Sequence, residues 1–362
     1  MTHPPVVWYL FEETGWHAHR PYVKGSRSMS LFLLVLPLWL ARSVQFKKGR
    51  EKKMDQKQDD AKVSRRDRTT TSLIVRVIIG GVLSAVVLTA FAFLTSSSNP
   101  ETTFSEQNLL IRFLSGVFYV AVMTPLARRV FYRRLPRFLA IFIPLYITGT
   151  LTDLVEAYFY TTLLTPFSLL AALIIEGLPL LLIAGIIAWL IPADEDARNA
   201  PRFGQALRER GFFSWTWRIV VAGAPYAAIY LLFAALVTPI EHAYYYDPAF
   251  IASLHTVVPS TATTLLLEAT RGILFVLAQL PIIAVMRKSR WSTGLYIALL
   301  GAMLEAWIPL LGQASWPVMM RVGNVLELTG DACGRALLMA LLVALPPLQT
   351  RISARQQPAV EA

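Results

Sequence analysis

"LTDLVEAYFY", Leu151–Tyr160, lies at the end of an apolar run that begins near residue 138. It holds two acids, Asp153 and Glu156, three residues apart and so on one face of a helix. The run around it is about 23 residues long, enough to cross a hydrocarbon layer about 30 Å thick as a helix. Seven more runs of similar character follow or precede it, and the spans read as 73–95, 108–127, 138–160, 167–191, 218–239, 263–285, 293–311 and 322–346. The chain is 55% hydrophobic and only 16% charged over 362 residues, too oily for a soluble domain of this size. The expected fold is therefore an all-α integral membrane protein, an eight-helix transmembrane bundle. Helices are expected because each satisfies its own backbone hydrogen bonds in lipid.

The net charge of +11 is placed by topology. Arg128, Arg129, Arg133, Arg134 and Arg137 fill the second loop, and Arg198, Arg202, Arg208, Arg210 and Arg218 lie in or border the fourth. Arg287, Lys288 and Arg290 fill the sixth, and Arg351 and Arg355 follow the last span. The alternate loops 96–107, 161–166 and 240–262 contain no Lys or Arg, and 312–321 contains only Arg321. This asymmetry points the arginine-rich loops and both termini to the cytoplasm, and the expectation of a bacterial-type cytoplasmic (inner) membrane rests on the purine-codon tract Lys47–Lys53. The expected partners are membrane lipids, anionic headgroups among them, at these loops, together with a homo-oligomer or another membrane subunit. No nucleic-acid partner is expected, since the basic charge follows the loops rather than forming a groove.

Residues 1–72 read as a cytoplasmic arm, 193–217 as a cytoplasmic connector and 348–362 as a tail. "KKGREKK", Lys47–Lys53, can be encoded entirely by purine codons, as a bacterial ribosome-binding tract ahead of Met54 would be. Met54 is thus the expected start. The alternative is a true arm in which "SLFLLVLPLWLA", Ser30–Ala41, is a signal or a ninth apolar segment.

The spans divide into two sets of four, 73–192 and 218–347. "RVIIGG" (Arg76–Gly81) matches "RIVVAG" (Arg218–Gly223) 142 residues on, and "SGVFYVAVMTP" (Ser115–Pro125) matches "RGILFVLAQLP" (Arg271–Pro281) 156 residues on. "DLVEAY" (Asp153–Tyr158) aligns with "AMLEAW" (Ala302–Trp307), which pairs Glu156 with Glu305, and "AGIIAWLIP" (Ala184–Pro192) aligns with "MALLVALPP" near an offset of 154. Four spans per unit give both units one orientation, so the expectation is a tandem parallel repeat. The connector's Phe203, Phe212, Phe213, Trp215 and Trp217 suit an aromatic anchor for the fifth span, or a segment lying on the inner leaflet.

Seven acids fall in or at the edge of the spans: Asp153, Glu156, Glu176, Glu268, Glu305, Glu327 and Asp331. Arg112, Arg271 and Arg335 join them. A charge at mid-bilayer costs about 2.5–3.5 kcal/mol on insertion scales, so such groups face the bundle interior. Nearly all lie in the half away from the arginine-rich loops. Spacings of three and four make Glu268–Arg271 and Asp331–Arg335 candidate ion pairs. Four carboxyls remain in excess, and they must be protonated, hydrated or matched by a bound cation.

Transport of a small polar or cationic solute is the first functional reading. Glu156 and Glu305 would be central, with Glu176, Glu268, Asp331 and Asp153 around them and Arg271 and Arg335 tuning them. The second is an intramembrane enzyme acting on a lipid-linked or peptide substrate. "EATRG", Glu268–Gly272, resembles the Glu-Glu-x-x-x-Arg-Gly motif of CAAX-type membrane proteases over five residues. It lacks the second Glu, its Glu-to-Arg spacing is three rather than four, and the family's histidines are missing from the following spans, so the activity is not carried over. The third is a non-catalytic partner subunit held together by these same polar contacts. All five histidines lie outside the spans, and His242 with His255 is the one histidine pair weighed as a metal site. There is a single cysteine, Cys333, and no phosphate-cradling glycine loop. No disulfide, catalytic residue or cofactor is expected.

Overall fold

The structure, a computed structural model, describes residues 56–95, 105–131, 134–194, 197, 202–245, 248, 255, 257–287, 289–313 and 316–346. The readings of residues 1–53 and of the tail 348–362 fall outside this range. The described chain is built of α1 (Gln56–Thr95), α2 (Glu106–Arg129), α3 (Arg134–Tyr146), α4 (Thr152–Tyr160), α5 (Pro166–Leu190), α6 (Phe203–Leu207), α7 (Phe212–Gly223), α8 (Tyr226–Tyr245), α9 (Thr261–Val285), α10 (Arg290–Gly301), α11 (Ile308–Gly312) and α12 (Val318–Leu342). Two π-helical turns, π1 (Ile147–Leu151) and π2 (Ala302–Trp307), join α3 to α4 and α10 to α11. The described residues 56–75 are helical and belong to a unit separate from the body that begins at Arg76.

Among the described residues, seven helices are long and apolar enough to cross a membrane: Thr71–Thr95, Glu106–Arg129, Arg134–Tyr160, Pro166–Leu190, Phe212–His242, Thr261–Val285 and Arg290–Gly312. The expected count was eight. The remaining helix, α12, has 25 residues but carries Arg321, Glu327, Asp331 and Arg335. The fifth helix also begins earlier than expected, at Phe212, and bends at Ala224–Pro225, where α7 gives way to α8. Proline has no N–H to continue the ladder there.

Local sequence accounts for the helix ends. Ser105, Ser260 and Ser289 accept hydrogen bonds from the backbone N–H three residues on, capping α2, α9 and α10. Thr165 and Ser168 form a reciprocal capping box ahead of Pro166, the first residue of α5. In π2, Pro309 has no N–H to offer the Glu305 carbonyl, and Ile308 instead donates to Met303, five residues back.

Large apolar side chains face outward along the helices, among them Val86, Phe167, Trp189, Phe212, Phe213 and Leu266, each more than half exposed. Surface of that kind belongs in lipid. Within the body, α12 lies against α8 and α10, and α9 against α7 and α8, while α3 packs on α5. The two sets of helices meet where Tyr296 donates to the Val122 carbonyl (2.8 Å) and Gln279 to the Thr148 hydroxyl (3.1 Å). There Gly149 of π1 lies against Leu304 of π2, so the two π turns face each other. At the far end from the arginine-rich loops, Thr162 N–H donates to the His255 carbonyl and Val257 N–H to Tyr160, tying the loop after α8 to the end of α4.

Corresponding contacts recur in both sets. Arg76 donates to the Leu190 carbonyl at the end of α5 (3.0 Å), and Arg218 to the Leu342 carbonyl at the end of α12 (2.6 Å). Cations at helix C-termini oppose the exposed carbonyl dipoles. A Cβ on Gly116 would sit 2.5 Å from the Gly81 carbonyl oxygen, and a Cβ on Gly272 2.9 Å from the Gly223 carbonyl carbon. Both crossings need glycine for backbone approach. Pro125 and Pro281 each lie four residues before the end of their helix.

Candidate functional site: a buried carboxylate and arginine cluster

Two arginines organise the interior. Arg271, on α9 and 2% exposed, places Nη2 2.5 Å from Glu156 Oε2 on α4 and Nη1 2.7 Å from Glu268 Oε2 on its own helix. Asp153 is more distant, at 3.9 Å, and about a quarter exposed. Arg335, on α12 and fully buried, donates to both oxygens of Glu305 on π2, one of them at 3.0 Å. Between the two guanidinium groups stands an edge-to-face pair, Tyr226 and Phe275, with ring centroids 5.3 Å apart. Arg335 lies 3.7 Å from the Phe275 centroid, and Arg271 5.8 Å from it. Stacked guanidinium planes suit arginine rather than lysine here.

Part of the sequence-derived pairing is corrected. Glu268 and Arg271 do pair. Arg335, however, engages Glu305, thirty residues away, rather than Asp331 one turn away. Asp331 is fully buried and neither carboxyl oxygen has a hydrogen-bond partner. Glu176, on α5, is half-buried and Arg112, on α2, is buried. Glu156 and Glu305, aligned in the sequence, occupy different places relative to the two π turns. Glu305 lies within π2, whereas Glu156 lies five residues beyond the end of π1.

Sequence reasoning missed several members. Glu241 was read as part of a loop, yet α8 continues through Pro239 to Tyr245, and Glu241 is 2% exposed. Its side chain covers Gly323 of α12, where a Cβ would lie 2.6 Å from Glu241 Cγ. Gly323, Glu327, Asp331 and Arg335 step by four along α12. Asn324 is fully buried, donates to the Met320 carbonyl (2.8 Å), and leaves Oδ1 without a partner. The buried hydroxyls of Tyr226 and Tyr230 also lack partners. Burial of such groups is expensive unless water, protons or ions satisfy them.

His242 and His255 are both exposed, His255 in a left-handed turn at φ 48°. Among the described residues, no three His, Cys, Asp or Glu side chains are placed to hold a metal ion. Cys333 is exposed on α12.

At the arginine-rich end, Arg210 donates to the Val343 and Ala344 carbonyls (2.8 Å each) and lies over Trp215 (5.0 Å). Burial, with Arg218 nearby, lowers its guanidinium below the usual range, yet it stays cationic at any physiological pH. Trp215 Nε1 donates to the Leu207 carbonyl at 2.7 Å. Arg287 pairs with Glu209 (2.6 Å) and Arg128 with Asp194 (2.6 Å). No family model, curated protein or solved structure is significantly similar to this chain.

Proposed function

We propose that this multi-pass membrane protein is a transporter of a small polar or cationic solute that uses its buried carboxylates. The observation that carries the reading is Asp331, fully buried with both oxygens unpartnered, beside the arginine-paired Glu305 and Glu268. Seven named carboxyls (Asp153, Glu156, Glu241, Glu268, Glu305, Glu327, Asp331) stand against two arginines, Arg271 and Arg335. A bundle that needed only cohesion would gain more from an apolar side chain at position 331, since an uncompensated buried charge costs several kcal/mol. A mobile cation or proton compensates it.

The architecture we infer is an eight-helix parallel four-plus-four repeat. It is supported by the matching arginine caps at Leu190 and Leu342, the matching glycine crossings and the facing π turns. Offsets of 142, 156, 155 and 152 residues relate the four helix pairs, through Arg76/Arg218, Gly116/Gly272, Ile147/Ala302 and Leu190/Leu342. In this reading α12 crosses the membrane as the eighth span, its charges turned to the interior. The arginine-rich loops and both termini face the cytoplasm of a bacterial-type cell. Anionic lipid headgroups would meet the exposed Arg208 beside an apolar recess of about 370 Å³ bounded by Phe212, Trp215, Ile219 and Leu280.

One observation favours a purely structural role, that of a partner subunit. Arg271 and Arg335 pair through their terminal nitrogens with Glu156, Glu268 and Glu305, as glue between helices would be. Flux separates the two. Purified protein in liposomes on a solid-supported membrane is exposed to concentration jumps of protons, alkali cations and small amines. Transient currents are expected, and Asp331→Asn is expected to lower them at least tenfold. Absence of current with every cation would contradict transport.

A further inference from the structure

We propose that the species handled is the proton, and that it travels along one face of α12 through Glu241, Glu327 and Asp331 toward the Glu305–Arg335 pair. This rests on the transport reading above and narrows it. A metal ion needs several oxygen ligands converging on one point at about 2.0–2.6 Å. The carboxyls here do not converge: among the described residues no group of three is placed to hold a metal. They are strung out instead. Glu327 and Asp331 are one turn apart on α12, a rise of about 6 Å. Glu241 extends the row by a further turn, because it occupies the space over Gly323, four residues before Glu327.

The independent observation is the set of buried polar atoms without partners along this row. Glu241 Oε1, Asn324 Oδ1 and both Asp331 oxygens lack hydrogen bonds, and each residue is 2% exposed or less. The hydroxyls of Tyr226 and Tyr230 on α8 are in the same condition. Such atoms hold ordered water when room is available, and a water between two carboxyls passes a proton. Each hop breaks one O–H bond and forms one. The donor carboxylic acid becomes a carboxylate, the acceptor carboxylate becomes an acid, and no electrons change owner.

The charged surroundings of Asp331 come from every packed element. Glu327 and Arg335 lie on α12, Glu305 on π2, Glu268 and Arg271 on α9, and Tyr226 on α8. Glu327 is faced by Glu241 and Tyr230 from α8 and by Glu268 and Arg271 from α9. From α7, Arg218 reaches only the end of α12 at Leu342. Arg335, paired with Glu305, thus stands at the deep end of the row, with Arg271 and its partners Glu156 and Glu268 nearby.

The test uses the full chain in proteoliposomes loaded with a pH-sensitive dye, with a potassium diffusion potential set by valinomycin as the driving force. Wild-type protein is expected to acidify the lumen. Asp331→Asn and Glu327→Gln are expected to lower the rate at least tenfold. Gly323→Ala adds no charge but displaces the Glu241 carboxyl, and a several-fold loss is expected. Cys333→Ser is expected to match wild type. Monodisperse elution and an unchanged helical spectrum qualify each variant, and Gly323→Ala serves if the carboxyl variants fail to fold. Proton uptake that survives in Asp331→Asn or Gly323→Ala would overturn the route. Currents with other cations but no proton uptake would overturn the proton assignment and leave cation transport standing. Absence of both would overturn the two readings together.

Discussion

Arg335→Met is the substitution whose cost the structure sets best. The guanidinium is fully buried, donates twice to Glu305 and stacks on Phe275 at 3.7 Å. Removing one partner of a buried ion pair costs about 3–5 kcal/mol, because the other charge is left uncompensated. Neutral hydrogen bonds between membrane helices average only about 0.6 kcal/mol, so charge burial dominates the effect. Methionine keeps most of the volume, which limits the cavity contribution. The double variant Glu305→Gln/Arg335→Met removes both charges and is expected to cost less than about 2 kcal/mol. A coupling energy of at least about 2 kcal/mol should therefore separate the double from the sum of the singles. Reversible unfolding in mixed micelles of rising SDS fraction, followed by far-ultraviolet circular dichroism, measures all three. A single-variant cost below about 1 kcal/mol, or strict additivity, would refute the assignment of this pair as the buried linchpin between π2 and α12.

Other expectations rest on separate contacts. Gly116→Val and Gly272→Val should each destabilise by about 1–3 kcal/mol in the same assay, since either Cβ meets the backbone of the crossing helix. Arg76→Ala and Arg218→Ala should lose similar amounts, on the order of 1 kcal/mol, if the two caps are equivalent; a loss confined to one would count against the duplication. Thr165→Ala should cost about 1 kcal/mol through loss of the capping box, and amide exchange in the first turn of α5 should accelerate. Trp215→Phe keeps an aromatic ring, a smaller one, but loses the bond to Leu207, for about 1 kcal/mol by the same unfolding measurement.

Helix positions were largely legible in the sequence. Span length, serine and threonine caps and the proline at 166 mark their ends to within a few residues. The exception is α7, where aromatic and polar residues around Arg218 disguise a helical turn and a half as connector. Pro239 misled in the opposite sense: it reads as a stop, yet the helix runs through it and carries Glu241 into the interior. The arginines and most acids were visible because charge inside an apolar run stands out. Their partners were not. Spacing of four suggests Asp331 for Arg335, but Glu305 arrives from another helix, and no local pattern encodes that meeting. Glu156 and Glu305 lie in similar motifs but at different places relative to the two π turns. The aromatic pair between the arginines carries no sequence signal, since Tyr and Phe are common in every span.

Transport through the buried carboxylates, as proposed, requires that they be reached from both sides of the membrane. Asp331→Cys in a Cys333→Ser background, probed with a membrane-impermeant thiol reagent applied from one side and then the other, tests it most directly. Alternating access predicts reaction from both sides, at rates that shift in opposite directions when the transmembrane gradient is reversed. No reaction from either side, in protein that remains folded, would contradict the account and leave the cluster as a structural bond between helices.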